Sequence, residues 1–406
     1  MRFAISTSGC KVNQYESQCL REGLLGAGHT EQPFSEPGAD WYIINTCTVT
    51  HRSDADARNL MRRALRLGGR VAVTGCQAVV YPEGIRAVSE EVVVVRPEQL
   101  GEVFGIALPQ AISAFDGHSR AFVKVQQGCD MFCSYCIVPH ARGKPESRPG
   151  EKVVAEVNAL ADAGYAEVVL TGINIGLYEG GLALLVEKVL SETSVPRIRI
   201  SSLEPWTVEE HLIALVADEP RMCKHLHLPL QHGSDVLLKA MGRPYTVGYF
   251  RSLLERIASR SEDIAVGADV IVGFPGENEA LFEESRSFIR DSTAAYLHVF
   301  PFSPRPGTPA ARMDGRPGDE EVRVRARRLR DLSREKRQSF ARSRMGCEEE
   351  LLVTRVCPGS FFGVTSNYLT VQAKGAATEG DIVRVRLSEM DGNTLRGETL
   401  EQHADC

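Results

Sequence analysis

Short apolar runs alternate with longer amphipathic stretches through residues 1–112. The runs RFAIST, DWYIINT and RVAVTG are typical of strands, and YESQCLREGLLGAG and SDADARNLMRRALRLGG between them have the apolar spacing of helices. A strand–helix–strand order predicts a parallel sheet with helices packed on its faces. We therefore expect an N-terminal α/β domain built on a parallel sheet.

The same alternation continues over residues 113–345. Six runs are typical of strands: AFVKVQQ, AEVVLTG, RIRISSLEP, HLHLPLQ, IAVGADVIVGFPG and AYLHVFPFSP. Helical stretches such as GLALLVEKVLSE and VGYFRSLLERIASR separate them. Six β/α units in tandem predict a partial parallel (β/α)6 barrel, with functional residues where its strands end.

The pattern changes over residues 346–406. The short runs LLVTRVC, YLTVQAK, DIVRVRLSEM and TLRGETL, separated by glycine-containing turns, predict a small all-β barrel. An arginine-rich run from Glu321 to Met345 precedes it, and we expect a helix there. This run could follow nucleic-acid phosphates, or it could be the solvated face of a helix.

Composition narrows the class of protein. The chain has 406 residues, 43% of them hydrophobic, which excludes global disorder, and its net charge is −6. No apolar stretch approaches the roughly 18 residues of a membrane helix. The start, MRFAISTSGCK, lacks the apolar segment of a secretory signal. We expect a cytoplasmic protein that does not bind a membrane.

Cysteine is the residue type that suggests chemistry. The chain holds 11 cysteines, and an odd number without a signal peptide indicates metal binding or catalysis rather than a disulfide framework. Cys129, Cys133 and Cys136 lie in GCDMFCSYC, directly after the first barrel strand. Three thiolates on one loop can hold three irons of a 4Fe–4S cluster and leave the fourth iron open. The alternatives are a zinc site with His140 as fourth ligand, or three buried thiols.

A second set follows from topology rather than spacing. Cys10, Cys47 and Cys76 each come just after a predicted strand of the N-terminal sheet. Ligands bind outside the carboxyl ends of parallel strands, so these three thiols can converge on one point. The alternative is three small core residues. The other cysteines are expected to be ordinary residues: Cys19, Cys223, Cys347, Cys357 and Cys406.

Further motifs extend the pattern. CDMFCSYC carries Tyr135 before its last cysteine, and the first cysteines lie in TSGCKVNQYESQ and INTCTVTHRSD. VPHARGKPESRP, RISSLEP, HLHLPLQHGSDVLLKAMGRPYT, DVIVGFPGE and HVFPFSPRPGTPAA follow in order. Together they resemble the radical S-adenosyl-L-methionine (SAM) methylthiotransferases, and the N-terminal motifs resemble the subgroup acting on N6-threonylcarbamoyladenosine in tRNA. FFGVTSNYLTV resembles the TRAM domain, a small RNA-binding β barrel.

The resemblance implies a mechanism with two 4Fe–4S clusters and SAM as cofactor. The cluster on Cys129, Cys133 and Cys136 would bind SAM and cleave it to a radical that removes the C2 hydrogen of the modified adenine. The cluster on the second set would hold or donate sulfur, and a second SAM would supply the methyl group. All six cysteines are then catalytic: Cys10, Cys47, Cys76, Cys129, Cys133 and Cys136.

Several other residues could contact SAM or RNA. The candidates for SAM are Tyr135, Thr171, Gly172, Asn174, Glu204, Gln231 and Arg142. Loop-capping polar residues and, for Arg142, a surface charge are the alternatives. Lys11 and Arg142 could pair with the carboxylate of the threonylcarbamoyl group. Phe361, Phe362 and Tyr368 could stack on RNA bases, or pack in a core.

The implied partners are the anticodon loop of tRNA, an external electron donor and a sulfur donor. Two enzyme alternatives remain, a methylthiotransferase acting on isopentenyladenosine in tRNA and one acting on a ribosomal protein. A non-catalytic iron–sulfur RNA-binding protein is the alternative from another class.

Overall fold

The computed structural model describes residues 1–392 and 394–400. Cys406, expected to be an ordinary residue, lies outside the described residues, as does the end of the range 346–406. In the described part of the chain, no helix has both the length and the hydropathy to cross a bilayer.

The N-terminal region is a five-stranded sheet in which every neighbouring pair is parallel, in the order β2-β1-β3-β4-β5. Its elements are β1 (Arg2–Thr7), α1 (Lys11–Gly26), β2 (Thr30–Glu31), β3 (Trp41–Thr46), α2 (His51–Leu67), β4 (Arg70–Gly75), α3 (Cys76–Val80), α4 (Pro82–Arg86), β5 (Val93–Val94) and α5 (Leu100–Phe104). Tyr42 and Ile44 pack against α2, whereas Ile43 packs with side chains of α1 and α5. Both faces of β3 are therefore covered, which explains its uninterrupted apolar sequence.

The central region has six parallel strands, as the sequence predicts. Its elements are β6 (Ala121–Lys124), β7 (Gln126–Gln127), α6 (Val138–Arg142), β8 (Glu146–Ser147), α7 (Gly150–Asp162), β9 (Glu167–Thr171), α8 (Leu182–Glu192), β10 (Arg197–Ile200), α9 (Glu210–Asp218), β11 (His225–His227), α10 (Asp235–Ala240), α11 (Val247–Arg260), β12 (Ala265–Val272), α12 (Glu279–Asp291) and β13 (Tyr296–Pro301). The ladders β6-β9-β10 and β11-β12-β13 are joined by single bridges, among them Ser202 with His227. The expected partial (β/α)6 barrel is confirmed.

A long helix leads into a closed five-stranded barrel, in the order β14-β15-β16-β18-β17. The elements are α13 (Asp319–Ser343), β14 (Glu348–Cys357), β15 (Ser360–Thr365), β16 (Thr370–Lys374), β17 (Ile382–Asp391) and β18 (Thr394–Thr399). The expected β-rich C-terminal region is confirmed, but the sequence reading missed β15. Its Phe361 is fully buried in the barrel core, so the structure favours core packing over RNA stacking for this ring.

The C-terminal barrel is joined to the central strands through buried charge. Arg199 on β10 donates to the backbone carbonyls of Thr365 and Ser366 at 3.2 and 3.0 Å. The same guanidinium is held by Glu167 on β9, with Nε 2.8 Å from Oε1. Burial alone would raise the pKa of Glu167, but Arg199 and Arg197 outweigh it and lower that pKa to about 2.

Candidate active site

The loop of Cys129, Cys133 and Cys136 follows the first barrel strand and folds back on α6. The Cys129 amide donates to the Gly143 carbonyl at 3.0 Å, and the Cys136 amide donates to the Cys133 carbonyl at 3.0 Å. Gly128 before them has a φ of 76°, and a Cβ there would lie 1.9 Å from the Lys144 carbonyl oxygen. The turn that presents the first cysteine therefore requires glycine.

Cationic and amide groups surround these thiols. An Arg243 guanidinium nitrogen lies 3.2 Å from Cys133 Sγ, and the Asn174 amide nitrogen lies 3.8 Å from Cys129 Sγ. Burial raises the pKa of Cys129, and raises that of Cys136 to about 12. A thiol must lose its proton to bind a metal, so metal binding at these buried thiols would release protons.

The spacing of the thiols bears on whether this loop would hold iron or zinc. Thiolates around a tetrahedral zinc would lie about 3.8 Å apart. Among the described residues, the three-residue set whose possible ligand atoms all lie within 4.8 Å of one another is His227, Asp269 and His298, not the cysteine loop. His140, the alternative fourth zinc ligand, is exposed with its ring against Phe132 at 5.7 Å. The three thiols are therefore not all within 4.8 Å of one another, a wider spacing than a single tetrahedral zinc requires.

Cys10, Cys47 and Cys76 follow the carboxyl ends of β1, β3 and β4, which are adjacent in the sheet. A Cβ on Gly9 would lie 2.7 Å from the Cβ of Cys47, so the Cys10 loop lies directly against the second cysteine. Burial raises the pKa of Cys47, and raises that of Cys76 to about 11. The structure thus brings this set to one edge of the sheet.

Arg142 connects the two cysteine sets. It ends α6, just beyond the loop of the first set, yet its Nε lies 3.1 Å from Sγ of Cys76. Its other nitrogens bond to Asn13 Oδ1 at 2.6 Å and Glu16 Oε1 at 2.5 Å. Asn13 in turn accepts from Cys10 Sγ at 3.3 Å. The structure therefore places Arg142 beside the second set and not at the surface, with its guanidinium already bonded.

Buried polar atoms without partners lie beside both sets. Asn174 Oδ1, next to the first set, has no hydrogen bond in the described structure, nor do Glu16 Oε2 and Gln77 Oε1 next to the second. Buried polar atoms are seldom left unpaired in native proteins. With three thiols in each place, this donor set fits a 4Fe–4S cluster on each side and polar ligand atoms at the first.

The other predicted SAM residues lie around the strand ends near the first set. Thr171 ends β9 and is buried, and a Cβ on Gly172 would lie 2.7 Å from the Gln126 carbonyl. Glu204, after β10, forms an ion pair with Arg243. Gln231 has a φ of 66°, a strained conformation for a residue other than glycine.

Tyr135 is placed differently. Its ring packs with an apolar group that includes Leu237, Met241, Phe274 and Phe302. Burial raises its pKa well above the usual value. The structure gives Tyr135 a packing role behind the loop.

Sequence reasoning missed two residues at the site, Arg243 and Arg305. Arg305, in the loop after β13, is buried and bonds to Thr48 Oγ1 at 2.8 Å and Asp54 Oδ2 at 2.6 Å, so it joins the barrel to the N-terminal sheet. Apart from the hydroxyl of Tyr245, two residues after Arg243, the side-chain partners of Arg243 and Arg305 are distant in sequence, so no local pattern marks their roles.

A cavity of about 220 Å³ lies between the N-terminal sheet, the central strands and the C-terminal barrel. Its lining includes cations, imidazoles and aromatic rings: Lys11, Arg120, Arg199, His225, His227, Asp269, Tyr296, His298, Phe300 and Tyr368. Tyr368 stacks on His225, with ring centroids 4.5 Å apart. This ring, expected to face RNA or a core, therefore faces the interior of the site.

A second cavity, of about 310 Å³, lies between α13 and the C-terminal barrel and includes Arg330, Arg334 and Arg337 in its lining. Other arginines of the run are structural, since Arg325 is buried against Glu277 with Nη1 2.9 Å from Oε1. Arg328 forms an ion pair with Glu279 at 2.8 Å. The run therefore includes arginines held by carboxylates and arginines that line this cavity. Phe362 packs under Arg355, whose guanidinium carbon is 4.1 Å from the ring centroid.

Two family models match this chain. That of the Radical SAM superfamily matches residues 123–289, and that of Uncharacterized protein family UPF0004 matches residues 2–96. Solved structures give the same fold for the central region. The chain aligns with the radical SAM methyltransferase TsrM of Kitasatospora setae with a TM-score of 0.52 at 15% identity, covering 89% of this chain and 80% of that one.

Curated relatives resemble the chain along nearly its whole length. It is 37% identical to the threonylcarbamoyladenosine tRNA methylthiotransferase MtaB of Bacillus subtilis, over 95% of this chain and 93% of the relative. It is 35% identical to the protein of the same name from Chlamydia pneumoniae, over 98% of each chain. It is 33% identical to the tRNA-2-methylthio-N(6)-dimethylallyladenosine synthase of Alkalilimnicola ehrlichii, over 98% of this chain and 97% of the relative. This chain therefore belongs to the radical SAM tRNA methylthiotransferase family.

Proposed function

We propose that this protein adds a methylthio group to C2 of N6-threonylcarbamoyladenosine, next to the anticodon in tRNA. The observation that carries the proposal is Arg142, which follows the cysteine loop of the barrel and bonds to Cys76 of the other set at 3.1 Å. Two cysteine sets in such contact favour one reaction centre that joins radical formation to sulfur insertion. The names of the relatives supply the substrate.

Each set of thiols has a distinct task in this proposal. Cys129, Cys133 and Cys136 hold one 4Fe–4S cluster, and Cys10, Cys47 and Cys76 hold the other. When bound, the first cluster supplies the electron that cleaves SAM, and the second supplies the site at which sulfur is held.

The protein's own groups bind and orient the reactants. The backbone N–H of Asn174 donates to Gln126 Oε1 at 2.9 Å and so positions the residue. Its unpaired side-chain Oδ1 is available to the amino group of SAM. The ion pair of Glu204 with Arg243 offers polar atoms to the SAM ribose or carboxylate. Tyr135 supports the loop by packing against its apolar group, and Gln231, in the loop after β11, adopts a strained backbone conformation.

The remaining features of the proposal concern partners and organisation. We assign residues 1–112 to sulfur insertion, 113–345 to radical formation and 346–406 to RNA binding. An electron donor and a sulfur donor must be supplied from outside, because the thiols alone provide neither. We expect the reaction to take place in the cytoplasm, where tRNA is found.

Nucleoside mass spectrometry tests the proposal. In cells that lack the protein, N6-threonylcarbamoyladenosine should accumulate without its 2-methylthio derivative, and the wild-type gene should restore that derivative. A gene carrying Cys47→Ala should not restore it. Loss of the methylthio group from isopentenyladenosine instead would favour the isopentenyladenosine enzyme, and unchanged nucleosides would favour a protein substrate or no catalysis.

A further inference from the structure

The central cavity carries more positive charge than its own acids neutralise. We infer that Lys11 and Arg120 bind the carboxylate of the threonylcarbamoyl group and so determine which modified adenosine is accepted. This inference rests on the proposed function, and it assigns the substrate recognition within the same site.

The position of the cavity suits a substrate that must reach both cysteine sets. Lys11 lies one residue after Cys10, at one end of the lining. Ser201 and Ser202 lie in the same lining, and Glu204 at the proposed SAM site follows two residues later. The lining of this cavity is therefore drawn from chain segments next to both proposed sites. At about 220 Å³ the cavity suits an extruded nucleobase and not a helix.

The balance of charge identifies which cations are available. Glu167 is held by Arg199 and by Arg197, each at 2.8 Å, whereas Arg120 reaches it only at 3.5 Å. Lys11 has neither an ion pair nor a side-chain hydrogen bond among the described residues. Its Nζ lies over the ring of Phe122, 5.9 Å from the ring centroid. Lys11, and Arg120 with its long contact to Glu167, are thus the cations that can bind an anion.

The lining of the cavity also includes the carboxylate of Asp269, which lies against two imidazoles. Asp269 Oδ1 lies 3.2 Å from His227 Nε2 and 3.3 Å from His298 Nδ1. The orientation of His227 is in turn fixed by Ser202, whose Oγ lies 2.8 Å from Nδ1. With Arg199 paired to Glu167, Lys11 and Arg120 still outnumber Asp269, the carboxylate in this lining, so the cavity keeps an excess of positive charge.

An aromatic wall faces the same space. Tyr368 has a φ of 68°, a rare conformation for a bulky residue, and it brings the ring against His225 with an angle of 25° between the planes. Tyr296 stacks behind, with its centroid 6.2 Å from that of Tyr368. Aromatic rings beside a cationic end are complementary to a base that carries a carboxylate. An isopentenyl group would leave Lys11 desolvated and unpaired.

The test uses the reconstituted full-length enzyme and anticodon stem-loops that differ only at the target base. The bases are N6-threonylcarbamoyladenosine, its methyl ester, isopentenyladenosine and adenosine. We expect wild-type kcat/KM to favour the free acid over the ester by at least about tenfold, as for a lost charged hydrogen bond. Lys11→Met and Arg120→Gln should each reduce this preference towards one by slowing the acid and sparing the ester. Lys152→Met, an exposed charge on α7, is the matched control and should keep the preference.

Three outcomes overturn the inference. They are equal wild-type rates on acid and ester, a preserved preference in both Lys11→Met and Arg120→Gln, and equal slowing of acid and ester by these variants. Iron content and SAM cleavage without RNA verify that each variant is assembled. If Lys11→Met loses iron, Arg120→Gln and Lys11→Arg decide, and the latter should keep the preference. A wild-type enzyme that modifies only isopentenyladenosine refutes the proposed function itself, whereas equal rates on acid and ester refute only the recognition.

Discussion

The two cysteine sets have similar chemistry but are built in opposite ways. Cys129, Cys133 and Cys136 lie within eight consecutive residues on one loop, whereas Cys10, Cys47 and Cys76 are brought together by three strands. The first set needs only a local turn, which Gly128 makes possible. The second exists only when β1, β3 and β4 pair in register. A metal site can therefore be encoded by spacing or by topology, and the second kind depends on the fold of a whole sheet.

The largest expected effect separates the two sets. Reconstituted protein should hold about eight irons, four for each cluster. Changing Cys129, Cys133 and Cys136 to Ala should halve the iron and abolish SAM cleavage. Changing the other three should also halve the iron, yet leave some SAM cleavage without sulfur insertion. Full iron in the second variant, measured by colorimetric assay, would show that those cysteines are core residues.

Arg142 provides the next largest effect, because it joins the sets. Arg142→Met leaves Glu16 next to Cys76 without its main cation, and we expect a loss of about 3 to 5 kcal/mol in the free energy of unfolding. Iron on the N-terminal set should fall more than iron on the barrel loop. Urea denaturation and iron analysis measure both. The double variant with Glu16→Gln is the control and should recover part of the stability; equal losses in the single and double variants would contradict the pairing.

Acid tests a contact outside both cysteine sets, the ion pairs of Glu167. The pKa of Glu167 is about 2 in the folded protein, below the roughly 4.3 of an unfolded chain. Its ion pairs therefore stabilise the fold fully above about pH 4.3, and this contribution, at most about 3 kcal/mol, is lost as the pH falls towards 2. Denaturation of wild type between pH 5 and 3 should show this slope, and Glu167→Gln should flatten it. An unchanged slope in the variant would assign the acid sensitivity to other carboxylates.

The smallest effect concerns RNA binding outside the cysteine sets. Arg327 is exposed on α13, whereas Arg328 forms ion pairs with Glu279 and Glu283. We expect Arg327→Gln to reduce the slope of log affinity for tRNA against log salt by about 1. Arg328→Gln should lower stability more than the salt slope. Filter binding at several salt concentrations measures the slope, and identical slopes for wild type and Arg327→Gln would leave Arg327 without an RNA phosphate.

The comparison also explains what the sequence could and could not predict. All six barrel strands were found because each is a short β-type run separated from the next by a helical stretch. The strand β15 was missed because Gly363 interrupts its short apolar run. The positions of the six cysteines at turns and strand ends could be inferred from spacing and topology. The contacts of Arg142 and Tyr368 could not, since their partners are distant in sequence.

Arg142 also bears on how freely the regions of this protein could be exchanged. It belongs to the barrel segment, but its partners Asn13, Glu16 and Cys76 belong to the N-terminal sheet. A chimera that joins this sheet to another barrel would lose the guanidinium and leave a carboxylate unpaired. This four-residue contact and that of Arg305 with Thr48 and Asp54 both cross the joint, so recombination between family members should succeed mainly where the residues of both contacts travel together.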